Sequence, residues 1–598
     1  MLKLIFKIFS LLNKKQLIYF YKLQVLVIFM ASIEIVAILS IVPFMSLVGN
    51  MDLLKENDFI FTIYQLSGLK SDFTFLFFCG LIVMMILVSS AMISVLSIWK
   101  CSMFAYQIGS DIADRLFIYH LHQGWLHFVS KSNAELTKKI TVEVQRVATS
   151  IIMPLMHMNA RIIVVIFVSL TIFIYDPYVA LVAIIVFTFS YFILFKFIRS
   201  RIQNNGLLVS VSTEQRFGLI NHSFGGLKDV LILGRENYFI DKFNKYGKIL
   251  ANAQGENSAL SQVPRNLIEL IAFGSSILLV LYLIIKNNHN LQIILPIISL
   301  YALAGIKLLP AFHQIYSCLA HIKGNLSAFY SIEQDLVKSY NKGIIYPFVE
   351  KNKFFPKKEI LLKNISFWYP GKIEKTINKI NISIPINKLI GIVGPSGSGK
   401  STIINILLGL MLPQKGQLMV DDIIINQSNL RQWQNNIGFV AQDVYLSHGT
   451  IAENVAFGVS KEKINLEKVN DVLMVANLQT LVDSLDRGIH TNVGERGVQI
   501  SGGQIQRIGI ARALYNDPRI LVFDEATSSL DGTSEKIIMD TIQKFKGKRT
   551  IVLIAHRLKT VKKCDNIFFI DNGSVLDQGT YQKLIETNQK FKNLAINS

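Results

Sequence analysis

Charge, acidic residues and cysteine are all scarce in this chain of 598 residues. Charged residues make up 17%, where a soluble protein carries roughly 25%. Hydrophobic residues make up 51%, and mean hydropathy is +0.40. Those values exclude a soluble enzyme and a disordered chain, which needs few apolar residues. The four cysteines (Cys79, Cys101, Cys318 and Cys564) are scattered, with no CxxC pair. They offer neither a disulfide framework nor a zinc motif and read as buried, inert thiols. Thirty-six glycines and 13 prolines are too few for a collagen-like or low-complexity chain. No internal repeat is evident. What remains is a membrane protein with room for an attached soluble domain.

The shortage of acid leaves a net charge of +20. A nucleic-acid binder has such an excess, and so does a membrane protein whose cytoplasmic segments are rich in Lys and Arg. The distribution decides between them. Six apolar stretches, at 23–48, 73–99, 150–175, 178–195, 262–285 and 291–317, are each read as crossing about 30 Å of hydrocarbon. The first 22 residues hold Lys3, Lys7, Lys14, Lys15 and Lys22 and no acid, and 196–260 holds nine basic against five acidic residues. By contrast, 48–72 sets Lys55 and Lys70 against Asp52, Glu56, Asp58 and Asp72. Both termini and the long loops 100–149 and 196–261 are therefore expected in the cytoplasm of a bacterial inner-membrane protein. The charge needs no nucleic acid. The basic, apolar N-terminus (MLKLIFKIFSLLNKKQ) is expected to lie on the inner leaflet as an elbow helix.

The character changes after residue 358. Short β-like runs (LLKNISFWY, KLIGIVG, RILVFDEA, RTIVLIAH, NIFFIDNG) alternate with helical patterns, which predicts a largely parallel α/β sheet. The expected organisation is a helical six-span membrane domain at 1–340, a polar linker at 341–357 and an α/β P-loop domain at 358–598.

The strongest motif is Gly394-Pro395-Ser396-Gly397-Ser398-Gly399-Lys400-Ser401, followed by Thr402, between a β run and a helical run. In that context the glycines let backbone N–H groups wrap phosphates. Lys400 is expected to reach the β and γ phosphates of ATP, and Ser401 to ligate Mg²⁺. Four apolar residues, Ile520–Phe523, deliver Asp524 and Glu525. Asp524 is the expected second Mg²⁺ ligand and Glu525 the expected general base. Ser501, Gly502, Gly503 and Gln504 open another helix, whose N-terminus suits a phosphate.

This domain resembles the nucleotide-binding domain of ABC transporters. The resemblance makes Ser501–Gln504 the signature loop, with Ile500 where Leu is usual and Ile505 where a basic residue is common. It implies that Tyr369 stacks on adenine, although neighbouring Trp368 is a second aromatic. It also implies that Gln442 touches Mg²⁺ and water, that Ser529-Leu530-Asp531 is the D-loop, and that His556 holds the γ-phosphate. VGERG at 493–497 matches the exporter-type loop before the signature. In this family two nucleotide domains assemble head to tail, so one copy implies a partner, expected to be a second copy of this chain. The six spans resemble the exporter-type membrane domain, whose cytoplasmic loops end in coupling helices. Candidates lie at 120–127 and 221–226.

The membrane half resembles the bacterial ABC flippase for lipid-linked oligosaccharides used in protein N-glycosylation. The similarity is carried by SIEIVAILSIVPFMSLV, VPRNLIEL and LYALAGIKLLPAFHQI. The first external loop also resembles that family's outer-leaflet helix. The second span departs from the family, since VMMILVSSAMIS lacks a basic residue. The implied cargo is a polyprenyl-pyrophosphate-linked glycan, moved by alternating access among membrane lipids. The alternatives are a lipid A or phospholipid flippase and a drug or peptide exporter. Intramembrane ions are few: Glu34, Arg161, Arg265, Glu269 and Lys307. Arg265 and Lys307, at comparable depth, suit a phosphate or pyrophosphate. Arg265 and Glu269 are also i,i+4 neighbours able to neutralise each other.

Overall fold

The computed structural model describes the chain except residues 1–6, 8, 9, 11, 50, 52–61, 63, 69, 70, 176, 287–290, 342–354, 494–499, 527–531, 556, 597 and 598. Some membrane-segment side chains, Lys307 among them, also lie outside the described set. The chain divides into two compact units. One is Met1–Gln123 with His127–Ile345, and the other is Tyr346–Ser598 with Gly124–Leu126.

The first unit is helical. Its main helices are α1 (Lys14–Gly49), α2 (Asp72–Leu121), α3 (Met153–Tyr175), α4 (Pro177–Gly225), α5 (Glu236–Lys286), α6 (Leu291–Gly324) and α7 (Leu326–Asn341). Each of the six apolar stretches falls inside one of these helices or the turn leading into α3. Hydrocarbon offers the backbone no hydrogen-bond partner, so an apolar segment satisfies itself as helix. Among the described residues, three helices are long and apolar enough to cross a membrane: Lys14–Val48, Asp72–Leu121 and Asn133–Ile174. The segments 100–149 and 196–261, expected as loops, are mostly helix. α2 runs for 50 residues and α5 for 51, about 75 Å at 1.5 Å per residue. That is more than twice the hydrocarbon thickness, so hydropathy marks only the apolar part of each. Short helices interrupt the run at Trp125–Val129 and Leu227–Ile232, close to the two coupling-helix candidates. Most of the elbow segment and of the first external loop lies outside the described residues.

A polar knot holds the helices together beyond their apolar parts. Glu143 is fully buried; it accepts from Arg146 at 2.8 Å and forms an ion pair with Lys138 at 3.3 Å. Lys138 also meets Glu214 on α4 at 3.0 Å. Arg146 donates to Asn325 at 3.1 Å and to Ser210 at 2.8 Å. Two π-helical turns, Lys139–Glu143 and Ala148–Ile152, flank this knot. α4 and α6 approach closely: a Cβ on Gly206 would sit 2.0 Å from the carbonyl oxygen of Gly324.

The second unit carries two sheets. The first pairs β2 (Ile377–Pro385), β1 (Glu359–Phe367), β4 (Lys415–Val420) and β5 (Ile423–Ile424) in that order, all antiparallel. The sequence reading had not separated this sheet from the parallel one. The second sheet has the order β10 (Ser574–Gly579), β9 (Asn566–Asp571), β3 (Leu389–Val393), β8 (Thr550–Ile554), β7 (Ile520–Asp524) and β6 (Ile437–Val440). It is parallel except for the β9–β10 pair. β3 is buried along its whole length, and so are the first four residues of β7. Strands covered on both faces read as unbroken apolar runs, as these do.

Candidate functional site

The register of the parallel sheet assembles the site. Ile392 on β3 and Asp524 on β7 both pair with Ile554 on β8. The segments that leave β3 and β7 therefore emerge at the same level on either side of β8, at the carboxyl ends of the strands, where open α/β sheets bind ligands.

The segment after β3 is Gly394–Gly399, leading into α8 (Lys400–Leu407). Two of its glycines are required. A Cβ on Gly394 would lie 2.1 Å from the carbonyl oxygen of Ile570, and Gly399 has a φ of 101°, open to glycine and costly to other residues. Lys400 is buried, and its Nζ donates to the carbonyls of Gly394 and Pro395 at 2.8 Å each. Burial lowers its pKa, while Glu525 and Asp524 pull it back up, so both carboxylates lie within electrostatic reach of the ammonium. Ser398 is buried, and among the described residues its Oγ has no hydrogen-bond partner. A glycine-lined loop, a buried ammonium and an unmatched hydroxyl suit a phosphate chain. Ser401 is exposed at the first turn of α8 and Asp524 ends β7. A hydroxyl and a carboxylate are the oxygen donors Mg²⁺ takes.

Glu525 has a φ of 49°, in the left-handed region that a glutamate rarely adopts. Its N–H donates to the Ile554 carbonyl at 3.2 Å. Strain of this kind persists where the surrounding fold over-determines it.

Tyr369 stands 3.2 Å, hydroxyl to hydroxyl, from Thr402 on α8, and its ring meets Phe367 edge-on at 5.1 Å. Trp368 is held through its backbone by Gln414, which accepts its N–H at 3.2 Å and donates to its carbonyl at 2.8 Å. Gln442 is exposed in the segment after β6. Ser501 caps α9 (Gly502–Tyr515) reciprocally with Gln504. The Ser501 Oγ accepts from Gln504 N at 3.3 Å, and Gln504 Oε1 accepts from Ser501 N at 2.8 Å. This leaves the N–H groups of Gly502 and Gly503, at the positive end of α9, for a ligand. His556, Ser529-Leu530-Asp531 and residues 494–497 lie outside the described residues.

In the first unit, Arg265 donates from Nε to Glu269 Oε1 at 2.7 Å, and 61% of its side chain is exposed. Of the two readings of Arg265, the local pair is present, and it leaves most of the side chain exposed. The Lys307 side chain lies outside the described residues. Arg161 donates to Gln314 on α6 at 2.7 Å and, with His157, Ser97 and Cys101, lines a small cavity. Sequence reasoning had not joined these residues, because the pairing spans 153 positions.

Comparison with known proteins bears on both units. Residues 377–528 match the ABC transporter family, and residues 19–305 match the ABC transporter transmembrane region. An "ATP-dependent lipid A-core flippase" of Wigglesworthia glossinidia brevipalpis is 31% identical over 80% of this chain and 81% of its own length. The chain belongs to the ABC transporters. A protein of the same name from Escherichia coli (strain K12) is 27% identical over 86% of this ABC transporter and 88% of its own length. A solved "bacterial Atm1-family ABC exporter with ATP bound" shares the fold, with a TM-score of 0.77 over 96% of this chain and 98% of that one, at 19% identity. This ABC transporter is thus a half-exporter with one membrane domain and one ATPase domain, and its ATPase is coupled to transport. The relatives carry the name of the lipid A alternative rather than that of the oligosaccharide flippase.

Proposed function

We propose that this transporter is an inner-membrane flippase for a lipid A-type glycolipid. The observation that carries the reading is similarity through the membrane half, over 80% of the chain, to a protein named for that cargo. Two copies would assemble as a homodimer, with termini and ATPase domains in the cytoplasm as the basic N-terminal and 196–260 segments imply. In each ATP site, Gly394–Gly399, Lys400 and Thr402 would hold the phosphates and Tyr369 the adenine. Ser401, Asp524 and Gln442 would hold Mg²⁺, which neutralises charge on the phosphates when bound. Glu525 would take the proton of the attacking water, with His556 at the γ-phosphate. Ser501–Gln504 would serve the site of the other copy. ATP would favour the closed state, and hydrolysis would release it. Arg265 and Lys307 would meet the anionic head of the cargo.

The test is translocation in proteoliposomes, comparing a fluorescent lipid A-core glycolipid with a polyprenyl-pyrophosphate oligosaccharide and using Glu525→Gln as the control. The expected result is ATP-dependent movement of the glycolipid that stops in the control. Movement of the polyprenyl compound alone would return the cargo to the lipid-linked oligosaccharide. Normal hydrolysis in Glu525→Gln would remove Glu525 as the base.

A further inference from the structure

One face of α9 grips the segment that follows β6. Gln506, Gly509 and Arg512, spaced three apart on the helix, meet Gln442, Val444 and Tyr445 in the same order. The Gln506 amide donates from Nε2 to the backbone carbonyl of Gln442. A Cβ on Gly509 would stand 2.6 Å from Val444 Cγ2, so the segment rests directly on the helix backbone. Arg512 donates to the carbonyls of Tyr445 and Asn454, both at 2.8 Å, and its guanidinium lies 4.7 Å from the Phe457 ring centre. Arg512 and Gly509 secure the body of the segment. Near its start, Gln506 fastens Gln442, whose side chain is the candidate nucleotide contact.

Stability does not account for an amide at this position. Gln506 is 4% exposed, and among the described residues its Oε1 has no hydrogen-bond partner. One buried hydrogen bond contributes about 1 kcal/mol net, and an orphaned buried carbonyl costs about as much. A methionine fills similar space with neither term. We infer that Gln506 is a positioning residue for ATP hydrolysis: it fixes the backbone of Gln442 and thereby the aim of the Gln442 side chain. The inference rests on the proposed role of Gln442 at the nucleotide. Because α9 begins at Ser501–Gln504, the same contact ties that loop to the Gln442 segment within one ATPase domain.

The test is a double-mutant cycle on the full-length transporter in proteoliposomes, reading Mg-ATPase kcat, KM and melting temperature for Gln506→Met, Gln442→Ala and the double variant. Gln506→Met is expected to melt within about 2 °C of wild type. Its KM for ATP stays within about threefold, while kcat falls roughly 10- to 100-fold, as for a group misplaced by about 1 Å. Gln442→Ala loses kcat, and the double variant falls no further than the worse single, because both changes remove one function. Gln506→Asn keeps the amide but falls short of the carbonyl. It gives the same kinetic pattern and serves if the methionine variant does not fold. Wild-type kcat in Gln506→Met with a loss in Gln442→Ala would overturn the inference alone, and so would losses that multiply in the double. Wild-type kcat in Gln442→Ala would overturn the role of Gln442 and the inference with it.

Discussion

The left-handed backbone at Glu525 makes a quantitative prediction that separates stability from catalysis. Its φ of 49° brings the Cβ against the following carbonyl, at a cost of about 1–2 kcal/mol for an L-residue. Glycine removes that cost and gives back up to about 1 kcal/mol through its greater freedom in the unfolded chain. Alanine keeps the Cβ and has no carboxylate. Under the proposed role of Glu525, Glu525→Gly and Glu525→Ala should lose hydrolysis alike and differ chiefly in strain. The balance favours glycine by about 1 kcal/mol, or about 2–4 °C in a domain of about 150–250 residues. The assay is thermal unfolding of the full chain with Trp99, Trp125 and Trp368 replaced by Phe, in detergent and without added nucleotide, followed by fluorescence of Trp433. That residue is fully buried in the ATPase unit and donates from Nε1 to Leu407 O at 2.8 Å. An alanine variant as stable as the glycine variant, or more so, would refute the reading that the fold holds this residue under strain.

Two further predictions concern the polar knot and the histidines near it. Glu143→Ala should cost about 3–5 kcal/mol by stranding the buried Lys138 and Arg146 charges, while Glu214→Ala, at a side chain 53% exposed, should cost under about 1 kcal/mol; equal losses in denaturant titrations would refute the assignment. Burial foremost, together with the Lys131 and Lys139 ammonium groups, holds His120 and His127 below their ordinary pKa of 6.5, against the pull of Asp335. The unfolded chain then takes protons first, so their contribution is whole above about pH 6.5 and is lost as pH falls below it. The wild-type melting temperature should therefore drop further between about pH 7.5 and 5.5 than that of the His120→Gln, His127→Gln double variant, and parallel curves would sink the idea.

Much of the ATP site was legible because its parts are contiguous. Gly394–Ser401 and Ile520–Glu525 are unbroken runs in which strand, turn and proposed role coincide, so spacing alone suggests the chemistry. What was not legible depends on distant contacts. The Gln506 link to Gln442 joins positions 64 apart, and nothing in the local pattern marks it. The sign of φ at Glu525 follows from how β7 and β8 meet. The reciprocal cap of Ser501 and Gln504 lies in plain view as a Ser-x-x-Gln pattern, whereas the motif alone points only to a phosphate at the helix N-terminus. Helix lengths were under-read for a related reason. Hydropathy reports where lipid ends, whereas a helix continues as long as its backbone bonds and packing support it.

The membrane half obeys a different logic, and the proposed cargo therefore rests on relatives rather than on motifs. A transporter that moves an amphiphile must hold it loosely enough to release it, which favours many weak contacts over one strong motif. Arg265 illustrates the difficulty. Its Nε is bound to Glu269, yet the guanidinium has further donors and 61% of the side chain is open. Such a group can neutralise its neighbour and still receive an anionic head. A single charged position therefore does not choose between a pyrophosphate and another anionic lipid head, whereas similarity over 80% of the chain integrates many weak contacts.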